Sequence, residues 1–450
     1  MVPTNHARDE SIGKCTNNFN SKLGGLAQSA RVFRADNGAA ISVKSLHRNG
    51  ERPLVWSLDE RMRFVPRPVS SVTSGPGEVM RVRLASGRSV ELSTAARLLT
   101  IDGWKDLEAL APDDRVAIPR WVPHTLHPKE MPDAEAVMLA HMIGDGSFVK
   151  RQPIRYASID EENLSAVTAA ATHFGITAIR DEYAAARVTT LRLPAPYRLT
   201  HGRRNPIAAW LDELGLFGLR SHEKFVPEPV FAFPTSQVAI FLRHLWATDG
   251  SIRWDGKGRQ ARIYYASTSW QLINDVANLL LRLEVHGRIR RVRKPGYRDC
   301  FHLTIDGTDN QITFLYDVGA HGARGVAGEA MLTQLDKLEP NPNVDTVPKE
   351  IWNAVRTILE ARQMTHREFQ AAMGSQYCGS AMWKRSLGRA RLARAAYILD
   401  APELAILCNN DVFWDRITEV TSLGEQEVFS VYVPGTENLI ADSVSVKAGM

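Results

Sequence analysis

The feature that most constrains this 450-residue chain is an internal repeat. One copy reads MLAHMIGDGSF and then PIRYASIDEENLSAVTAAATHFGI; the other reads FLRHLWATDGSI and then ARIYYASTSWQLINDVANLLLRLEV. Each copy predicts a helix ending in Asp-Gly-Ser, a strand carrying Tyr-Ala-Ser, and a second helix. A duplicated unit of this kind folds as two similar halves with pseudo-two-fold symmetry. Ala136, Leu139, Ala140 and Ile143 follow the i, i+3, i+4, i+7 spacing of one helix face, and Leu242, Leu245 and Trp246 offer the equivalent stripe. The small residues Ala140, Gly144 and Ala247 would let the two helices approach closely where each copy ends.

Side-by-side packing with the same polarity brings Asp145 and Asp249 together at the C-terminal ends of both helices. Two carboxylates there face each other and the unfavourable ends of two helix dipoles, a conflict that a bridging divalent cation resolves. Oxygen ligands with room for water suit Mg²⁺, or Mn²⁺ in its place, and paired carboxylates can clamp a phosphodiester during in-line displacement. An Asp-Gly that ends a helix is ordinary turn chemistry when it occurs once. Its recurrence in both copies points to phosphodiester hydrolysis.

LAHMIGDGSF and FLRHLWATDGS resemble the paired motifs of the LAGLIDADG homing endonucleases. The full nine letters are absent from both, but the final Asp-Gly is intact in each. The resemblance implies two αββαββα-like halves, motif helices at their interface, a saddle of strands over the DNA major groove, and one acidic metal ligand per motif. It assigns those ligands to Asp145 and Asp249, with Gly144 and Thr248 as adjoining metal-site positions. Lys224 in SHEKFVP resembles the family's basic Lys-x-x-Pro element, with a surface lysine as the rival reading; in the second half, Lys294 and Arg324 compete for the equivalent role. GRIRRVRKPGYR places Arg288, Arg290, Arg291, Arg293, Lys294 and Arg298 in a short β-like run, where alternation puts several guanidinium groups on one sheet face to meet phosphates or guanine edges. RVTTLRL, with Arg187 and Arg192, is the weaker counterpart in the first half.

The two ends of the chain resemble a second family, the inteins. GLAQSARVFRADNG resembles their opening block, with Gly25 where Cys or Ser would stand. GRSVELSTAARLLTIDGW resembles the Thr-x-x-His block, with Ser93 and Ala96 at those two positions. SVSVKAGM resembles the closing His-Asn block, with Lys447 and Ala448 there instead. Similarity is greatest to the inteins of actinobacterial replicative helicases, some of which use an internal Cys; Ser430 stands at that position, and Leu98 at the accompanying Trp. Acyl transfer needs a nucleophile and charge stabilisation, and every expected catalytic position is altered.

The implied fold class is α+β: an all-β Hedgehog/intein-like splicing domain interrupted by a pseudo-two-fold LAGLIDADG endonuclease domain and a helical segment. The expected divisions are a flexible tail at 1–24, β-domain at 25–122, endonuclease at 123–330, helical segment at 331–415, and returning β-domain at 416–450. VMRVRLASGRSVEL predicts a hairpin about a Ser-Gly turn. In the helical segment Thr365 and Glu368 form a capping box, Gly374 marks a turn, and MWKRSLGRARLARAA reads as a basic helical surface interrupted by Gly388, consistent with a helix-turn-helix or an ordinary bundle. A hydrophobic fraction of 44% and a net charge of only +5 fit folded protein in which basic clusters, not the total charge, mark a nucleic-acid partner. The four widely spaced cysteines, Cys15, Cys300, Cys378 and Cys408, suggest neither a zinc site nor a disulfide framework. With no signal-peptide core and no apolar run long enough to cross a bilayer, a cytoplasmic, nucleoid-associated monomer acting on double-stranded DNA is expected, with an inactive DNA-binding relic and an intein with residual or engineered-off splicing as alternatives.

Overall fold

In the computed structural model, residues 24–182, 187–200, 202–258, 260–339, 341 and 344–449 are described. The expected tail at 1–24 therefore lies outside the described residues except for Gly24, which is buried.

Strands from the two chain ends share two sheets. Val412–Tyr432 pairs antiparallel with Ser71–Leu84 along nearly its whole length, and with Arg115–Pro119 and Leu26–Ala27. A six-stranded sheet interleaves Arg31–Phe33 and Arg97–Thr100 from the start with Leu439–Ala441 and Val444–Lys447 from the end. Period-two alternation drives this pairing, because it presents Val82, Val90, Leu92, Leu98, Phe429, Val431, Leu439 and Val446 to one apolar core. Burying each such side chain contributes about 1.5–3 kcal/mol, so the apolar pattern of the final strands is accounted for by packing alone.

Between these ends lie two halves of matching topology. The first places Gly146–Ser147, Arg155–Ser158, Thr189–Arg192 and Ile179–Asp181 side by side in that order; the second places Gly250–Asp255, Gln260–Ser267, Cys300–Ile305 and Gly287–Val292 likewise. The helices are Asp133–Gly144, Glu161–His173 and Pro206–Glu213 in one half, and Thr235–Asp249, Trp270–Leu281 and Thr308–Asp317 in the other. The repeated Tyr-Ala-Ser has a local cause. Ser158 and Ser267 each accept from the amide two residues on, at 3.1 Å, turning the chain into Asp160 and Ser269, whose side chains cap the next helices.

The helices ending in Asp145 and Asp249 pack against each other more intimately than their apolar stripes predict. In the first, Ala136 and every residue from Met138 to Ile143 are buried, so no face is left to solvent, because the helix is covered by its partner as well as its own half. A Cβ on Gly144 would lie 2.0 Å from Thr248 Oγ1 and 2.3 Å from Thr248 Cβ. Only glycine permits this approach.

The β-domain is docked on the second half. The predicted Ser-Gly turn abuts strand Gly287–Val292: Ile289 N–H donates to Ser86 O at 2.7 Å, and Gly87, at φ +84°, has no room for a Cβ, which would lie 2.0 Å from Ile289 O. Arg31 pairs with buried Asp275 at 2.9 Å, and Arg88 donates to Gly287 O at 3.1 Å.

The helical segment contains the Thr365/Glu368 capping box and a turn at Gly374, φ 68°. MWKRSLGRARLARAA, however, is not one helical surface. Gly379–Lys384 is a 3₁₀ turn, Leu387–Gly388 pairs with Thr346–Val347, and the helix begins only at Arg389 with Gly388 as its N-cap. Arg389 binds Asp345 and the carbonyls of Leu407, Cys408 and Val412, which makes it a structural residue. Among the described residues no helix is long and apolar enough to cross a membrane.

Replacing Gly144 by Ala leaves the backbone conformation allowed but forces the helices apart. The expected loss is about 1–3 kcal/mol, typical of overpacking, measured as a lower midpoint in chemical denaturation.

Candidate active site

The two motif helices end together, and the carboxylates of Asp145 and Asp249 are close enough to repel. Burial, followed by Asp249, raises the Asp145 pKa from 3.8 to about 6, while Arg324 and Lys224 oppose the rise. Asp249 is likewise raised by burial against the pull of Lys224 and Arg324. Two mutually repelling carboxylates, partly screened by the packed helix ends but open to solvent, form a hard-oxygen donor pair fitted to a divalent cation.

Lys224 is not a surface lysine: it is 3 % exposed. Its ammonium group donates to the carbonyls of Met142 at 3.0 Å, Ile143 at 2.9 Å, Gly144 at 3.3 Å and Gly146 at 2.9 Å. It thereby neutralises the carbonyl end of the first motif helix, where the dipole favours a cation. Burial lowers its pKa to about 8, with Asp249 and then Asp145 opposing that fall. Arg324 plays the corresponding part in the second half, donating to Ala247 O near the end of the other helix. Lys294 lies elsewhere, in the hairpin turn after Val292, with its ammonium 4.5 Å from the Tyr297 ring centre. Thr248 is buried and donates to Leu245 O at 2.6 Å, while Gly144 provides the contact that unites the helices.

One turn below the carboxylates lies a group that sequence reading missed. His141, His244 and His321 bring one ring nitrogen each within 4.8 Å of the others. His141 is fully buried, and burial together with the other two histidines holds it well below its ordinary pKa. The sequence signal was one histidine in each motif, His141 four residues before Asp145 and His244 five residues before Asp249.

The second sheet has one apolar and one polar face. Ile252, Ile263, Tyr265, Ile289, Leu303 and Ile305 are buried, whereas Arg288 and Arg290 are exposed on the opposite face. Strand register places Arg253 beside Arg262 on that polar face, two arginines the basic-run argument overlooked because they sit on neighbouring strands. Tyr264 and His302 stack between them and Arg290, 4.9 Å apart and nearly coplanar in tilt. Arg291 pairs with Asp299, while Arg293, Lys294 and Arg298 belong to the hairpin turn and not the strand face. In the first half, Arg192 pairs with Asp181 and lies next to Arg155, also missed; Arg187 is exposed.

At the other end of the molecule, the intein-like positions converge. Gly25 N–H donates to Ser93 Oγ at 2.8 Å, and Ser430 Oγ donates to Ala448 O at 3.0 Å. Ala96 is fully buried, Leu98 pairs with Val446, and Lys447 forms an ion pair with Glu437 at 3.2 Å. Of these residues Lys447 lines a surface pocket that also has Gly24 and Gly449 on its walls.

The family described as LAGLIDADG-like domain matches residues 236–319. The chain is 35% identical over 435 residues to the replicative DNA helicase DnaB of Synechocystis sp., an alignment covering 94% of this chain and 49% of that protein. It is thus similar to about half the length of the helicase relative. Among solved structures, a DnaB intein from Synechocystis sp. covers 22% of this chain and 70% of its own at 29% identity and a TM-score of 0.21. Mesophilic variants of the homing endonuclease I-DmoI cover 44% and 97% at 14% identity and a TM-score of 0.32. The fold is a LAGLIDADG-like domain set within an intein-like β-domain. The similarities support a relationship to the intein-encoded LAGLIDADG homing endonucleases.

The raised pKa of Asp145 has a definite sign. The metal-free folded state holds a proton that the unfolded chain releases, so this contribution is full below about pH 4 and lost as pH rises through about 6. Asp145→Asn is expected to flatten the fall in metal-free stability across that window, as read from denaturation midpoints at successive pH values.

Proposed function

We propose that the chain is a divalent-metal-dependent, site-specific endonuclease that cuts double-stranded DNA, borne on a splicing-deficient intein scaffold. The observation that carries this reading is the solvent-accessible pair Asp145 and Asp249, held at two helix ends between Lys224 and Arg324. Mg²⁺ or Mn²⁺, when bound, supplies polarisation of the phosphate and a more acidic attacking water. Asp145 and Asp249 supply its hard oxygen ligands, one from each half, with Gly144 and Thr248 fixing their separation. Lys224, still protonated at neutral pH, and Arg324 stabilise negative charge developing beside the carboxylates. Of the two candidate basic residues in the second half, Arg324 is the one in electrostatic reach of both carboxylates.

The polar sheet faces are the proposed DNA contact. Arg288, Arg290, Arg253 and Arg262 would meet the duplex from one half, Arg155 and Arg192 from the other, with Arg291, Arg293, Lys294 and Arg298 at the saddle's edge. A pseudo-two-fold monomer suits a long target, and the helical segment at 331–415 is proposed to add phosphate contacts beyond it. The proposed domain divisions follow the same scheme: intein-like β-domain at 25–122 and 416–450, endonuclease at 123–330.

Asp145→Asn and Asp249→Asn are each expected to abolish Mg²⁺-dependent cleavage while duplex binding in an electrophoretic mobility assay stays within a few-fold of the parent; normal cutting by both variants overturns the assignment. Splicing deficiency has a simple readout. With Ala96 and Ala448 in place of the activating and cyclising groups, the expressed chain is expected to keep its intact mass by mass spectrometry, and self-excision or terminal cleavage would contradict it.

A further inference from the structure

The three histidines at the interface of the motif helices are arranged as ligands, and each is aimed by a neighbour. His321 is fixed most firmly. Asn163 Nδ2 donates to Ala247 O at 3.3 Å, so its Oδ1 must face His321 Nδ1, 2.9 Å away, which can only donate. The proton of His321 is therefore on Nδ1, and the lone pair of Nε2 is left for another partner. His141 is held through Nδ1 by Tyr156 Oη at 3.0 Å, with Nε2 directed at His244 Nδ1, also 3.0 Å away. His244 stacks on His321 with ring centres 4.4 Å apart. The group joins three separate elements: both motif helices and the loop preceding helix Ala323–Leu335.

We infer that His141, His244 and His321 form a second metal site, for one Zn²⁺ or similar borderline divalent ion, which pins the two halves together. Three imidazole nitrogens with an outer partner on each anchored ring match the ligand chemistry of such ions, whereas Mg²⁺ prefers the carboxylate oxygens one turn above. Nitrogens about 2.0–2.1 Å from a tetrahedral ion lie roughly 3.4 Å from one another. The 3.0 Å pair has only to open slightly, and the third nitrogen to close from within 4.8 Å. His141 is buried, but His244 and His321 are partly exposed, which gives the ion a route in and leaves a position for water.

The test uses the full chain, stripped with a chelator and titrated with Co²⁺ as the probe in excess Mg²⁺. One equivalent with the visible absorption of a low-coordinate nitrogen site is expected. His321→Ala and His244→Ala are expected to lose that signal, and Asn163→Ala to weaken binding by about tenfold or more. Asp145→Asn and Asp249→Asn are expected to retain it, so the outcome is independent of the endonuclease reading. Zn²⁺ should also raise the melting temperature of the parent and not of His321→Ala. Absence of saturable Co²⁺ binding in the folded parent, or undiminished binding in His321→Ala, overturns the proposal and leaves a purely hydrogen-bonded histidine array.

Discussion

The contact of Gly144 with Thr248 is the constraint on which the rest of the site depends. It brings two helix ends closer than any side chain on Gly144 would allow, and so sets two carboxylates side by side at a site that solvent can reach. That arrangement is unfavourable by itself, since burial, mutual repulsion and two helix dipoles all oppose ionisation. Lys224 and Arg324 offset part of this cost by occupying the carbonyl ends of the two helices and facing the carboxylates. The remaining tension is what a cation bound between them, as proposed, would relieve. Local instability at this point is a property of the site, as is common where charge must be gathered for chemistry.

The repeat made the architecture legible. Asp-Gly-Ser gave the helix ends, and Tyr-Ala-Ser gave strand, turn and cap in both halves, because short-range hydrogen bonds carry that information. What the sequence hid was three-dimensional adjacency. Lys224 was legible as a basic Lys-x-x-Pro element, but nothing in SHEKFVP announces its four carbonyl acceptors around the end of a helix far away in the chain. Arg253 and Arg262 escaped notice because a sheet assembles its face from several strands, while a run of arginines is visible in one. The same run overstated its case: Arg293, Lys294 and Arg298 belong to a turn. Arg389 looked like part of a basic surface and is instead bound to Asp345 and three carbonyls, since charge alone does not distinguish a solvated arginine from a structural one.

The intein-like domain keeps its frame for reasons separate from splicing. Its final strands supply Leu439, Val444 and Val446 to a core shared with the first strands, so losing them would expose that core. Ala96 and Ala448 have become part of that same core, and Gly25 packs its backbone against Phe429. The domain also grips the endonuclease half through the Ser86-Gly87 turn and the Arg31–Asp275 pair, and the turn lies directly behind the arginine-bearing strand. A scaffold that positions the arginine-bearing sheet is under structural constraint whatever its own chemistry.

The central claim is that the paired carboxylates cut duplex DNA at a long, specific site. Incubating the chain with Mg²⁺ and a randomised duplex library, then sequencing the new ends, tests it most directly. The account predicts double-strand breaks enriched at one extended sequence and absent with chelator. A protein that binds the library selectively yet yields no Mg²⁺-dependent ends would contradict it.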